Sequence, residues 1–178
     1  MTARLILING IPASGKTTLA RAWCERHATL LPLALDIDTI RSMIGGWRHA
    51  LREAGMAARD VAIAGAAAHL TTGHDVMIPQ YLQRGDFIDR LEHTAHTTGA
   101  TFVEIALTID ASTAERRFTA RAALAEGVDP HGQLHTDMAA ISKHFDDFLQ
   151  SRPHAVRIES GGAAMENLES VLGSSSLS

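Results

Sequence analysis

The chain has 178 residues and a mass of 19.1 kDa; 46% of the residues are hydrophobic, 20% charged and 4% aromatic, which excludes a disordered chain and leaves the core to Leu, Ile, Val and Ala. Sixteen Lys and Arg against twenty Asp and Glu give a net charge of -4, which argues against the broad basic surface of a sequence-independent nucleic-acid binder. One cysteine, Cys24, excludes an internal disulfide framework and a multi-cysteine metal site, and no apolar run approaches the roughly 20 residues of a membrane span.

The length suits one domain, expected over residues 1–172, with a small polar tail at 173–178 that frays. Met1-Thr2-Ala3-Arg4 leads straight into a short apolar run without the features of a signal peptide, so a cytoplasmic location is expected. Leu5-Ile6-Leu7-Ile8 is continuously apolar, the pattern of a parallel strand covered on both faces. It ends in Asn9-Gly10, and a glycine-bearing loop opens a helix carrying Leu19, Ala20, Trp23 and Cys24. A second strand, Leu33-Ala34-Leu35, ends in Asp36-Ile37-Asp38. The stretch from Gly45 to Asp60 reads as glycine-broken and is the expected substrate region, with Trp47 a candidate to stack on a ring; an alanine-rich helix follows through Val61, Ile63, Ala66 and Leu70. Val76-Met77-Ile78, closed by Pro79, is the third strand.

A helix from Asp86 to His96, a strand from Phe102 to Ile109 and a helix opened by the capping box Ser112-x-x-Glu115 come next. Gly127 to Gly132 reads as a loop, Met138 to Phe148 as a helix, Ala155 to Ile158 as the last strand, and Leu168 to Leu172 as part of the last helix. His93-x-x-His96 and His131-x-x-x-His135 have helical-face spacing, but no Cys or carboxylate completes either set, so solvated histidines are expected. Strands alternating with helices predict a doubly wound α/β domain, whose strand carboxyl ends gather Gly10, Asp36, Pro79, Asp110 and Ser160 along one edge.

Gly10-Ile11-Pro12-Ala13-Ser14-Gly15-Lys16-Thr17 fits G-x-x-x-x-G-K-[ST], the P-loop, and Thr18 continues it into the helix. The chemistry requires these residue types. Glycines let successive N–H groups of Gly10, Ala13, Ser14 and Gly15 curl around phosphate, Lys16 adds positive charge, and the Thr17 hydroxyl can ligate Mg2+. The motif follows a buried-type strand and opens a helix, the context that makes it specific. No N-K-x-D run is present, which excludes a guanine-specific switch GTPase, and the third strand ends in Pro79-Gln80 where motor ATPases carry an acid.

With these residues the chain resembles the P-loop small-molecule kinases and phosphotransferases: chloramphenicol phosphotransferase, the zeta toxins and the kinase domain of phage polynucleotide kinase. Asp38-Thr39-Ile40-Arg41, after the second strand, is similar to their D-x-x-R element. The resemblance implies a three-layer α/β/α sandwich with a five-stranded parallel sheet in the order 2-3-1-4-5. It implies a base role for Asp38 toward a substrate hydroxyl, with Arg41 beside it and Asp36 as a water-mediated Mg2+ partner alongside Thr17. The bland alternative for Asp38 is an N-cap of a helix starting near Thr39. Arg117 and Arg121, four apart, correspond to lid arginines that close over a triphosphate, with Arg116 secondary; their alternative is a solvated face paired with Glu115 or Glu126. Gln80 and Arg84 lie in the loop that borders the acceptor in that branch, where Arg84 either contacts an anionic substrate or pairs with Asp86 on the surface. Ser160-Gly161-Gly162 occupies the place of the nucleotide base and distinguishes neither ATP nor GTP. The implied activity is Mg2+-dependent γ-phosphoryl transfer from ATP or GTP to a hydroxyl of a small molecule, an antibiotic being the nearest match. A sugar, a shikimate-like acid or a polynucleotide 5′-hydroxyl are alternative acceptors, and a nucleotide-dependent binding protein without transfer is the rival class.

Overall fold

Leu5, Ile6, Leu7 and Ile8 have no solvent-accessible surface, and they form the middle of strand β1 (Arg4–Asn9) in a computed structural model that describes residues 2–124 and 137–174. The elements that follow are α1 (Lys16–Arg26), a 3-10 turn at Ala28–Leu30, β2 (Leu33–Ala34), α2 (Ile37–Met43), α3 (Leu51–Thr71), β3 (Val76–Gln80) and α4 (Asp86–Thr97). After them come β4 (Thr101–Thr108), α5 (Ala111–Leu124), α6 (Met138–Gln150), β5 (Val156–Glu159) and α7 (Ala164–Ser174). The loop expected at Gly127–Gly132, Glu126, the pair His131 and His135, and residues 175–178 of the expected tail lie outside the described residues.

The five strands pair in parallel in the order β2-β3-β1-β4-β5. Because side chains alternate across a strand, Leu5 and Leu7 enter one core with Val76, Ile78, Ala58, Ala62, Ala66 and Leu91. Ile6 and Ile8 enter another with Met77, Ile105, Leu19, Ala20 and Leu168. Both faces of β1 are thus covered by helices, which is why its sequence shows no polar alternation. Each fully buried Leu or Ile contributes about 1.5–3 kcal/mol of burial free energy. A third cluster, with Ala106, Ala114, Met138 and Phe145, seats α5 and α6 beyond β4.

Local chemistry moves several expected boundaries. Gly55 does not break α3: the helix starts at Leu51, and Ala54, Ala58, Ala62, Ala66 and Leu70 form a buried stripe at four-residue spacing. That burial outweighs the propensity cost of about 1 kcal/mol for a helical glycine. Pro79 lies within β3 rather than closing it. The Met77 carbonyl accepts from the Leu35 amide, so Pro79, two residues on, turns its missing donor to the same side, beyond the end of β2. Helix α5 is not opened by a Ser112 capping box. Asp110 accepts from the Ser112 hydroxyl at 2.7 Å and from the Thr113 amide at 2.9 Å, and hydrogen bonds from Thr113 and Ser112 hold its carboxyl well below the usual range. Glu104, in the buried middle of β4, is matched by Arg152, with Nη2 2.7 Å and Nε 3.0 Å from Oε2. No described helix is long and apolar enough to cross a membrane.

Candidate active site

At the carboxyl end of β1 the chain turns through Gly10, where a Cβ would stand 2.6 Å from the Leu107 carbonyl oxygen and 2.8 Å from the Ser14 hydroxyl. Only glycine fits so close to β4. Ala13 and Gly15 adopt left-handed φ of 61° and 95°, the alternation that turns neighbouring N–H groups toward one concavity. For Ala13 this costs about 1 kcal/mol, strain of a kind that collects at ligand sites. Ser14 is fully buried beneath the loop. Lys16 opens α1 and turns back, its ammonium donating to the Ile11 carbonyl at 2.8 Å. Burial pushes its pKa down to about 8; Arg121 adds to the depression while Asp38 and Asp36 oppose it.

Asp36 is the N-cap of α2: its Oδ1 accepts from the amides of Asp38 at 2.9 Å and Thr39 at 3.3 Å. Its other oxygen accepts from the Thr17 hydroxyl at 3.2 Å. The helix starts at Ile37, two residues earlier than the capping alternative for Asp38 requires, so Asp38 lies in the first turn and does not cap. Its carboxylate is 3.2 Å from Arg41 Nη2, one turn on. The hydroxyl of Thr17 and the Asp36 Oδ2 that accepts from it form a pair of hard oxygen donors. Such a set suits Mg2+, which binds through one or two protein oxygens and fills its remaining positions with phosphate and water. Among the described residues no group of three or more His, Cys, Asp or Glu is placed to hold a metal ion, and His93 and His96 are exposed on α4.

Among the described residues, two cavities open on this edge. The larger, of about 640 Å³, is lined by Ala13 through Leu19, by Arg117 and Arg121 of α5, by Ser160, Gly161 and Gly162, and by an apolar wall of Ala22, Leu107, Ala164 and Met165. The smaller, of about 220 Å³, is lined by Pro12, Asp38, Arg41, Pro79, Gln80 and Tyr81. Ala13, Lys16, Thr17 and Arg121 line both. Arg117 donates to the Ser160 hydroxyl at 3.1 Å, and Ser160 donates to the Ser14 carbonyl at 2.7 Å, so α5 is tied to the P-loop through the segment after β5. Arg116 turns away, bonding Thr113 and Ser112 on its own helix.

Of the residues singled out from sequence, Thr18 also lines the large cavity, whereas Arg84 lines neither; it borders a third cavity with Arg59. Trp47 is buried and lines neither of these cavities. It is 7% exposed, with the Arg41 and Arg48 guanidinium groups 5.4 and 4.6 Å from its ring centroid. Four residues that shape the site were not singled out from the sequence: Asn9, Tyr81, Met165 and Ala22. Asn9, fully buried, exchanges hydrogen bonds with the Leu82 amide and carbonyl at 2.9 and 3.1 Å and so fixes the loop carrying Gln80 and Tyr81. A polar residue ending an apolar strand was the available signal. Tyr81 borders both the smaller cavity and the one that holds Arg84, and burial pushes its phenol up to about 12. Met165 and Ala22 carry no signal in sequence.

A family model described as an AAA domain (AAA_33) matches residues 5–146, which contain the P-loop, Asp38, Arg117 and Arg121. The chain belongs to this AAA-domain family. Its architecture is that of P-loop kinases. A candidate kinase from Chloroflexus aurantiacus superposes with a TM-score of 0.75 at 19% identity, covering 98% of each chain. The Mycobacterium tuberculosis APS kinase CysC gives 0.63 at 16% identity over 97% of this chain and 96% of that one. A tunicamycin resistance protein of Deinococcus radiodurans gives 0.63 at 14% identity over 97% and 95%. At these identities the likeness is one of fold. No curated protein sequence matches this AAA-domain chain.

Proposed function

We propose that this protein transfers the γ-phosphoryl group of ATP or GTP to a hydroxyl of a small molecule. The observation that carries the reading is the meeting of the two cavities at Ala13, Lys16, Thr17 and Arg121, with Asp38 on the smaller side and the P-loop on the larger. The larger cavity suits a nucleotide, its phosphates on the P-loop amides and the N-terminus of α1, its base beside Gly161, Gly162 and Met165. The smaller suits the acceptor. Thr17 and Asp36 would hold Mg2+, which when bound supplies charge compensation to the phosphates.

In the transfer, the acceptor oxygen forms a bond to the γ-phosphorus as the bond from that phosphorus to the β,γ-bridging oxygen breaks. The diphosphate leaves, and the hydroxyl proton passes to the Asp38 carboxylate. Lys16 and Arg121, at the junction, face the charge that spreads over the transferring group. Arg41 orients the Asp38 carboxylate. Gln80 Oε1 is buried without a hydrogen-bond partner among the described residues and sits in the lining of the smaller cavity, so it calls for a donor on the acceptor.

Asp38→Asn tests the assignment. Asp36 is the cap, so the substitution removes a base and leaves α2 intact. The expected result is a turnover loss of about a hundredfold to ten-thousandfold, with nucleotide affinity and thermal stability little changed. Asp36→Ala, by contrast, lowers stability by about 1 kcal/mol through the lost cap and shifts activity to higher Mg2+. Full turnover in Asp38→Asn would remove Asp38 from the chemistry.

A further inference from the structure

The end of β3 and the loop that follows it line two cavities. Gln80 faces the one that holds Asp38; Arg84 faces another, of about 420 Å³, and Tyr81 lines both. The second cavity also contains Arg59, which reaches it from α3, together with Gln83 and Asp86. Its basic residues are not used up by the fold. Arg90, nearby on α4, is paired with Asp60 at 2.7 Å, whereas among the described residues neither Arg59 nor Arg84 has a carboxylate within ion-pairing distance, although Asp86 stands in the same lining. Two guanidinium groups against one carboxylate leave that lining net positive in a chain whose net charge is -4.

Both arginines have a defined setting. The Arg59 guanidinium lies 5.1 Å from the ring centroid of buried Phe87, which orients it and leaves its donors for another group. Arg84 is two residues past Leu82, whose amide and carbonyl are held by Asn9. A planar guanidinium fork matches carboxylate and phosphate oxygens, so a paired set of forks beside an acceptor cleft selects for an anionic group.

We infer that the Arg59–Arg84 cavity is an anion subsite, and that the acceptor is a hydroxylic compound carrying a carboxylate or phosphate group at some remove from the hydroxyl it presents to Asp38. This rests on the proposed phosphoryl transfer for its meaning, but the subsite is testable without it. Tyr81 then forms the partition along which the acceptor body lies, with its hydroxyl end toward Asp38 and Gln80 and its anionic end toward Arg59 and Arg84. A neutral acceptor fills the cleft and leaves both arginines without a partner.

Two measurements decide it. In the first, inorganic phosphate is titrated calorimetrically into the full chain with the P-loop saturated by a non-hydrolysable triphosphate and Mg2+. Wild type should bind phosphate with millimolar affinity, and Arg59→Ala/Arg84→Ala should weaken it about tenfold or more, each lysine variant retaining part of the affinity as a point charge without the fork. Equal affinity in wild type and the double variant, or no binding in wild type, overturns the subsite. In the second, matched acceptors are compared as a neutral alcohol, its carboxylate analogue and its phosphate ester, which also separates the two anion sources. KM for the anionic members should rise about tenfold in the arginine variants with kcat little changed, the mark of binding lost equally from ground and transition states. Transfer that depends on Asp38 but favours the neutral alcohol overturns the subsite and leaves the kinase reading standing. Arginine-dependent phosphate binding with no transfer to any acceptor overturns the kinase reading and leaves the subsite standing.

Discussion

Lys16 bears the largest consequence of being where it is. In the free protein burial holds its pKa near about 8, and a bound triphosphate, by adding negative charge, raises it. Below pH 8 the amine is already charged and contributes a constant term to binding. Above pH 8 the free protein has lost the proton that the complex keeps, so nucleotide binding takes up a proton and weakens, by up to about tenfold per pH unit. Calorimetry in two buffers of different ionisation enthalpy, between about pH 7 and about pH 9.5, should show that uptake appear and grow; a constant affinity without it contradicts the electrostatic picture. Under the proposed transfer, Arg117 and Arg121 answer the transferring phosphoryl group. Arg117→Ala and Arg121→Ala should each reduce kcat by about tenfold to a hundredfold and weaken nucleotide binding far less, because they answer charge that grows in the transition state. Wild-type kinetics in both variants would leave α5 with a solvated basic face. The P-loop residues were legible because each obeys a local rule tied to phosphate. Asp38 was legible only in order along the chain, and its cap alternative fell because the cap belongs to Asp36, two residues earlier. Asn9 stood out only as a polar end to an apolar strand; its role was not legible, since its partner Leu82 lies 73 residues away.

Among the helices, α3 is the element whose stability can be raised without touching the site. Gly55 sits inside it with open space where a Cβ would go and no positive φ. Gly55→Ala should therefore stabilise the protein by about 0.5–1 kcal/mol and raise Tm by about 2–4 °C, read by thermal unfolding, with kinetics unchanged. A drop in Tm would mean that the backbone there departs from a regular helix. The same glycine is why the sequence pattern suggested a broken segment from Gly45 to Asp60: propensity registers Gly55 but not the tertiary burial of Ala54 and Ala58 on either side. Pro79 misled in the opposite sense. A proline usually ends a strand, but here β2 is two residues long and its pairing with β3 stops at Met77, before Pro79. The apolar strands β1 and β4 were plain in sequence because parallel strands buried on both faces have few alternatives.

Taken as a single object, the protein is a five-stranded parallel sheet whose carboxyl edge brings two cavities to a common boundary at Lys16, Thr17 and Arg121. The strand order agreed with the resemblance to small-molecule kinases, but the shared boundary could not be read from sequence. It depends on how α5, α2 and the loop after β3 converge, and Arg59 joins Arg84 only once α3 has packed against α4. What separates transfer from nucleotide-dependent sequestration on this fold is the fate of the acceptor. The deciding measurement is mass spectrometry of a panel of sugars, hydroxy acids, nucleosides and antibiotics after incubation with the protein, Mg2+ and ATP or GTP. Phosphoryl transfer predicts at least one acceptor recovered with one added phosphoryl group, in an amount that exceeds the protein many times over and vanishes with Asp38→Asn. An acceptor that binds in the presence of nucleotide and is recovered unmodified would contradict it.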